Sequence, residues 1–351
     1  MKKNQFVMFG IMILAVIQLT GKNKNKIKYG KLSEGKRAFV QNGKMGFMDA
    51  KNKILLAPVF DFDTTRFDKF EEGDNGYIPY FSDGMCMFYE IFSTGSSYEK
   101  LLKYGFINKE FKIVIPAIYF CKSFNGNYCD GFPTVFTGGR AVVNKPSETE
   151  DKDDEFIIID KQGNTISQSF EYWTGCYAGG LFFPEISEGY CTFFENSKAG
   201  YFDAKTGKKI IQNKYSMAGP FSEGIAAVEH DYEYITFINK AGKQITNKRF
   251  YTAPMNKNKT KIEKRVDDTF YDKWLYGPGL GCSHVGGFKD GKMILRYYDN
   301  EGTGPVVIAL VDKNGNVLIK KKADDNYIYD STPASTNDPD FIPYKWVIGK
   351  H

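Results

Sequence analysis

Apolar and polar positions along this chain follow one recurring phrase. An apolar run leads to an Asp or Asn, two loop residues, a Gly, then a Lys or Asn before a second apolar run. Residues 157–166 (IIIDKQGNTI), 236–245 (TFINKAGKQI) and 309–318 (ALVDKNGNVL) are nearly superimposable, and 200–210 (GYFDAKTGKKI) follows them closely. Such runs read as paired strands. An Asp or Asn side chain accepts hydrogen bonds from the backbone just ahead of it, and the following Gly supplies the left-handed conformation that returns the chain. Asp160 with Gly163, Asp203 with Gly207, Asn239 with Gly242 and Asp312 with Gly315 therefore mark hairpin tips. Two earlier copies, 46–56 and 105–115, place Asn52 and Phe111 where the glycine stands. Asn visits the left-handed region readily, whereas Phe111 is expected to be strained or to force another loop.

A second phrase precedes each hairpin. FSEGIAAV at 221–228 is its clearest form, and related stretches lie at 32–40, 81–88, 137–143, 186–194 and 288–295. Each unit thus offers one strand after the SEG-type turn and two hairpin arms, repeated about six times. Such a unit cannot bury its apolar face alone, so neighbours must stack. The expected fold is all-β: tandem three-stranded antiparallel units stacked as a curved, solenoid-like array, or alternatively closed into a propeller-like ring.

The cores KMGFMD, KYGFIN and KAGYFD, with Leu56-Ala57-Pro58 and Ile115-Pro116 at the exit, resemble the WG repeat family over roughly residues 32–322. Here Met45, Tyr104, Phe156, Ala199, Ile235 and Ile308 replace the defining Trp, and the adjacent Gly survives as Gly46, Gly105 and Gly200. The resemblance implies repeat β structure and interaction roles, with no general catalytic activity.

Composition agrees with strands and turns. The chain has 30 Phe, 23 Tyr and 35 Gly, and its 42% hydrophobic share is enough for a continuous core. Its net charge of +5 is small against 47 basic and 42 acidic residues, and the basic ones are dispersed, so no nucleic-acid partner is implied. Lys2 and Lys3 precede a nearly unbroken apolar stretch at 6–19, too short for a spanning helix. Residues 1–21 are read as a secretory signal or an uncleaved N-terminal anchor, the latter being the one membrane contact expected. Both readings put the body outside the cytoplasm, in the periplasm, at the cell surface or secreted. Residues 22–31 form a linker, and 32–322 hold the repeats, with insertions at 91–103, 145–155 and 256–287. Residues 323–351 form a tail or cap.

Little chemistry is legible. The acidic run Asp151, Asp153, Asp154, Glu155 lacks the spacing of a calcium loop. His230 and the neighbours Cys282-Ser283-His284 have no patterned partner, and His230 reads as a surface residue. No metal, cofactor or catalytic residue is expected. Cys121 with Cys129, and Cys176 with Cys191, could bridge adjacent strands or stay as buried thiols. Trp173, Trp274 and Trp346 fall outside the repeated positions. Tyr172, Trp173, Trp274 and Tyr276 are the candidate ligand-binding residues, either stacking on a glycan or packing on a protein, or else sealing the ends and loops of the stack. The expected role is a non-enzymatic interaction protein of the cell envelope that holds a protein partner. The alternatives are a module for envelope glycans and, last, an envelope hydrolase.

Overall fold

A computed structural model describes residues 27–62, 78–93, 100–121, 135–144, 155–171, 186–255 and 287–322. Every regular element within them is a β-strand, and all pairings are antiparallel. Unit 1 comprises β1 (Lys28–Ser33), β2 (Lys36–Gln41), β3 (Lys44–Asp49) and β4 (Ile54–Asp61). In unit 2 these become β5 (Met85–Ser93), β6 (Lys100–Asn108) and β7 (Ile113–Cys121). Unit 3 has β8 (Arg140–Asn144), β9 (Glu155–Asp160) and the short β10 (Phe170–Glu171). Unit 4 has β11 (Ile186–Ser187), β12 (Tyr190–Glu195), β13 (Lys198–Asp203) and β14 (Lys208–Tyr215). Unit 5 has β15 (Met217–Ala218), β16 (Ile225–His230), β17 (Tyr234–Asn239) and β18 (Phe250–Tyr251), and unit 6 has β19 (Lys292–Tyr298), β20 (Val306–Asp312) and β21 (Val317–Lys322).

The units join in pairs. Units 1 and 2, 3 and 4, and 5 and 6 each form one seven-stranded sheet. Within a pair, the third arm of one unit meets the first strand of the next, as at Asp61↔Tyr89, Glu171↔Phe194 and Tyr251↔Tyr298. Between pairs there is no strand pairing among the described residues, and apolar packing makes the joint instead. One buried cluster runs from Ala38 of unit 1 to Ile159 of unit 3, and another from Phe194 of unit 4 to Ile238 of unit 5. At the ends, β1 and β21 each have a strand on one side only. Leu32 is 42% exposed and Ile319 is 38% exposed.

The positions that replace the family's Trp all face the core: Met45, Tyr104, Phe156, Ala199, Ile235 and Ile308 are buried. The adjacent Gly has a separate reason. Opposite Gly46, Gly105 and Gly200 the third arm bulges, skipping from Leu56 to Phe60, Ile115 to Tyr119 and Ile211 to Tyr215 in register. That bulge presses its backbone onto the glycine. A Cβ there would stand 2.7 Å from Leu56 O, 2.4 Å from Ile115 O and 2.6 Å from Ile211 O. In units 3 and 5 the position holds Ile157 and Thr236, and the third arm is broken into a single bridge (Ile159↔Thr165, Ile238↔Gln244) followed by β10 or β18. In unit 6 Ala309 stands there, and β21 runs unbroken past it without that bulge, pairing Ala309↔Lys320.

Two boundaries differ from the sequence reading. The segment read as an insertion at 91–103 is largely a longer hairpin, because β5 runs to Ser93 and β6 begins at Lys100. The stretch read as a linker contains most of β1, held to β2 from Lys28↔Val40 onward.

Candidate interaction surface

The hairpin tips are built as local chemistry dictates. Asp160 Oδ1 accepts the N–H groups of Gln162 and Asn164 at 2.9 Å, and Asp312 Oδ1 does the same for Asn314 (2.9 Å) and Asn316 (2.8 Å). Asn239 Oδ1 accepts from Ala241 and Lys243 at 3.0 Å, and Asp203 Oδ1 from Thr206 N–H at 2.8 Å. Gly163, Gly207, Gly242 and Gly315 hold φ of 84°, 67°, 72° and 77°. Phe111 takes the same conformation, φ 59°, instead of forcing another loop. Its ring lies 5.3 Å from Phe47 and 6.2 Å from Phe81, which offsets the left-handed strain of about 1–2 kcal/mol.

The SEG-type turns do more than reverse the chain. All six have two successive positive φ values, the geometry that two-residue hairpins prefer. Glu34, Asp83, Glu188, Glu223 and Asp290 occupy the first of those positions, where Asn or Gly would be easier. Four of the five acids reach into the next unit. Glu34 meets Gly84 N–H (3.2 Å) and Lys109 Nζ (2.8 Å), and Asp83 meets Gly139 N–H and Lys161 Nζ (3.0 Å). Glu188 meets Gly224 N–H (3.0 Å) and Lys240 Nζ (3.0 Å), and Glu223 meets Gly291 N–H (2.9 Å) and Lys313 Nζ (2.8 Å). The serine beside each acid completes the clasp. Ser33, Ser82, Ser187 and Ser222 donate Oγ–H to the carbonyls of Phe81, Phe136, Phe221 and Phe288.

Among the described residues, only the joint between units 3 and 4 lacks this clasp. Gly138 replaces the acid, and Ala204, buried, replaces the lysine. Partial burial opposes the charge on Glu34, Asp83 and Glu188, yet lysine and glycine N–H donors hold all three carboxyls below the ordinary range. At Glu223 the hydrogen bond from Lys313 comes first among the causes that lower it.

With the turn acids engaged between units, the open surface lies on the third arms. Three residues past each tip residue stand Leu55, Val114, Ile210, Ile245 and Leu318, all exposed, with half-buried Ile166 in unit 3. Units 1 and 2 add Ile54 (58% exposed), Val59 and Ile113 (53% exposed), Ile118. Unit 4 carries Lys209 and Lys214 at two equivalent places. Strands β4 and β7 therefore present six exposed aliphatic side chains, with β7 at a sheet edge. Sequence reasoning missed this row. The doublet Ile210-Ile211 was a partial signal, since adjacent strand residues point to opposite faces and one must face outward, whereas Ile54-Leu55 and Ile113-Val114 are exposed at both members.

Tyr172, Trp173, Trp274, Tyr276 and Trp346 lie outside the described residues, as do the acidic run at 151–154 and Cys282-Ser283-His284. So do Cys129 and Cys176 of the two candidate bridges; Cys191 is buried with its thiol 3.4 Å from the Thr192 carbonyl. His230 is half-buried and not a free surface residue. Its ring stacks on Tyr234 at 4.9 Å, its Nε2 lies 2.8 Å from Thr236 Oγ1, and burial holds its pKa below the usual histidine value. Among the described residues no group of three or more His, Cys, Asp or Glu could hold a metal ion, and no helix is long and apolar enough to cross a membrane.

A family model described as "WG containing repeat" matches residues 104–129 and 200–234. Both matched stretches open on the glycine-bearing core of a unit, so the chain carries WG-type repeats. No curated protein matches the chain. Among solved structures it is similar to BamB from Moraxella catarrhalis, at 9% identity and TM-score 0.32, over 84% of this chain and 87% of that one. It is also similar to Hsv2 of Kluyvelomyces marxianus, at 10% identity and TM-score 0.37, over 84% of each chain. A protein of unknown function from Bacteroides caccae aligns at 11% identity and TM-score 0.24, over 84% of this chain and 80% of that one. At such low superposition no shape or activity transfers from these proteins.

Proposed function

We propose that this array of WG-type repeats is a non-enzymatic scaffold of the cell envelope that holds a protein partner along its third arms. The observation that carries the reading is the aliphatic row on β4 and β7, where Ile54, Leu55, Val59, Ile113, Val114 and Ile118 stand exposed. Exposed edge strands are ordinarily protected by lysine, as on β14, and the apolar side chains left on the edge strand β7, continued by those on β4, are the signature of a surface meant to be covered. A protein partner suits aliphatic side chains better than a sugar does, because sugars call for flat aromatic platforms. The basic start and apolar stretch 6–19 support export to the envelope.

The test places a photoactivatable side chain at Ile54 or Ile118 of the full chain in its producing cell. Crosslinks to one discrete protein, lost when Ile113→Lys and Val59→Lys are added with the thermal midpoint unchanged, are expected. Crosslinks to glycan or a scatter of unrelated products would overturn the protein-partner reading. Recovery of the full-length chain in the cytosol would overturn its location.

A further inference from the structure

At the strand ends away from the tips, the repeat places a different cross-strand row in each sheet. Five residues ahead of the tip Asp or Asn stand Lys44, Lys103, Glu155 and Lys198 in units 1 to 4, against Tyr234 in unit 5 and Val307 in unit 6. The residue opposite on the third arm follows suit. Lys44 is opposite Asp61 and ion-paired with it, and Glu155 is opposite Glu171. In the third sheet Tyr234 is opposite Tyr251, and Tyr251 is opposite Tyr298. Directly opposed residues share a face and lie about 5 Å apart, so the three tyrosines form one row about 10 Å long across β17, β18 and β19. All three are half-buried. The repeat is its own control here. The fold accepts a solvated ion pair at these places, so closing the sheet does not require the tyrosines.

One end of the row is held. The His230 ring stacks on Tyr234 at 4.9 Å, Tyr215 stands perpendicular to His230 at 5.3 Å, and the Arg249 guanidinium lies 4.6 Å from the centre of the Tyr234 ring. The other end is uncommitted. Among the described residues Tyr251 makes one ring contact, with Tyr234 at 6.1 Å, Tyr298 makes none, and neither phenol is hydrogen-bonded. Arg249 is exposed, and no ion pair or hydrogen bond to another described residue engages its N–H groups.

We propose that this row binds a carboxylated glycan, a polymer of uronic-acid type. Sugar rings lie along Tyr251 and Tyr298, whose hydroxyls meet sugar hydroxyls, and Arg249 takes a carboxylate through two parallel N–H bonds. Cation–π contact with Tyr234 holds the guanidinium in place, so less freedom is lost when its fork closes on the carboxylate. A nucleic acid suits the site less. It needs a run of cations along its backbone, and here Lys198 is tied to Asp231 at 2.6 Å while Lys214 lies over the Tyr215 ring. The tyrosine row belongs to units 5 and 6 and the aliphatic row to units 1 and 2, so the inference does not rest on the protein partner proposed above.

The experiment titrates the full chain with oligogalacturonate, its methyl ester, polyglutamate and oligothymidylate in a calorimeter. Saturable binding of oligogalacturonate, about tenfold tighter than its ester or polyglutamate, is expected. Arg249→Ala should weaken oligogalacturonate about tenfold and bind acid and ester alike. Tyr298→Ser should weaken both about three- to tenfold at an unchanged thermal midpoint, and Lys44→Ala, at the place of Tyr234 in unit 1, should change neither. Because Arg249 is exposed, its variant carries the test even where Tyr298→Ser unfolds. No binding of oligogalacturonate, equal or tighter binding of polyglutamate or oligothymidylate, or unchanged binding in Arg249→Ala would each overturn the proposal.

Discussion

Gly163 and Gly207 share a left-handed φ, but different physics holds them. A Cβ on Gly163 would touch only the Ile115 side chain, at 3.5 Å, so Gly163→Ala meets backbone strain alone, about 1–2 kcal/mol. A Cβ on Gly207 would stand 2.2 Å from Ile166 O and 2.6 Å from its carbon, so the same change must also move the backbone of unit 3. Gly207→Ala is expected to lose about 1–3 kcal/mol more than Gly163→Ala, read from urea midpoints of the two variants. Equal losses would mean that the close approach between units 3 and 4 is absent in solution. The tips themselves were legible in sequence, because Asp160 and Asn239 satisfy the backbone two and four residues ahead, which is local chemistry. The approach of Gly207 to unit 3 was not, since nothing near residue 207 announces Ile166.

The same division between local and remote partners holds for the turn segments. That SEG-type stretches reverse the chain could be read from the sequence, but the purpose of their acid could not, because its lysine lies in the next unit. One trace was available. A lysine follows the tip Asp or Asn in units 2, 3, 5 and 6, and is missing from unit 4, the unit that follows Gly138 in place of an acid. These carboxyls also set a pH dependence. Their folded pKa values lie below the ordinary 4.5 for Glu34, Glu188 and Glu223 and 3.8 for Asp83. A carboxyl depressed by folding stabilises the folded chain above its unfolded pKa, and that stability is lost as pH falls through the folded value. The thermal midpoint should therefore drop as pH is lowered from above about 4.5, and in a Glu188→Gln/Glu223→Gln double variant it should drop less steeply. Parallel curves for the two proteins would show that these carboxyls are not held by lysine in solution.

Across the whole molecule, stability in a stacked array is a sum of unit terms and nearest-neighbour joints, and the joints here are of two kinds. Within a pair, backbone hydrogen bonds carry the sheet from one unit to the next, as at Asp61↔Tyr89 and Tyr251↔Tyr298. Between pairs, apolar packing and the clasps of Asp83 and Glu188 do the joining. The joint without a clasp, between units 3 and 4, is an in-pair joint with β10 on β12, so the chain omits the acid and lysine only where strand pairing is present. Removing a clasp should then have unequal consequences. Glu188→Ala deletes a charged hydrogen bond to Gly224 and the Lys240 ion pair, together about 1–3 kcal/mol, at a joint with no strand pairing to share the load. Glu223→Ala deletes the equivalent contacts at a joint where β18 still meets β19. In scanning calorimetry of the full chain, Glu223→Ala is expected to shift the unfolding transition downward as a whole. Glu188→Ala is expected to broaden or divide it, units 5 and 6 separating from units 3 and 4, and hydrogen exchange should speed in β16 and β17 before β12 and β13. Identical calorimetric traces for the two variants would mean that the apolar cluster from Phe194 to Ile238 couples the pairs unaided.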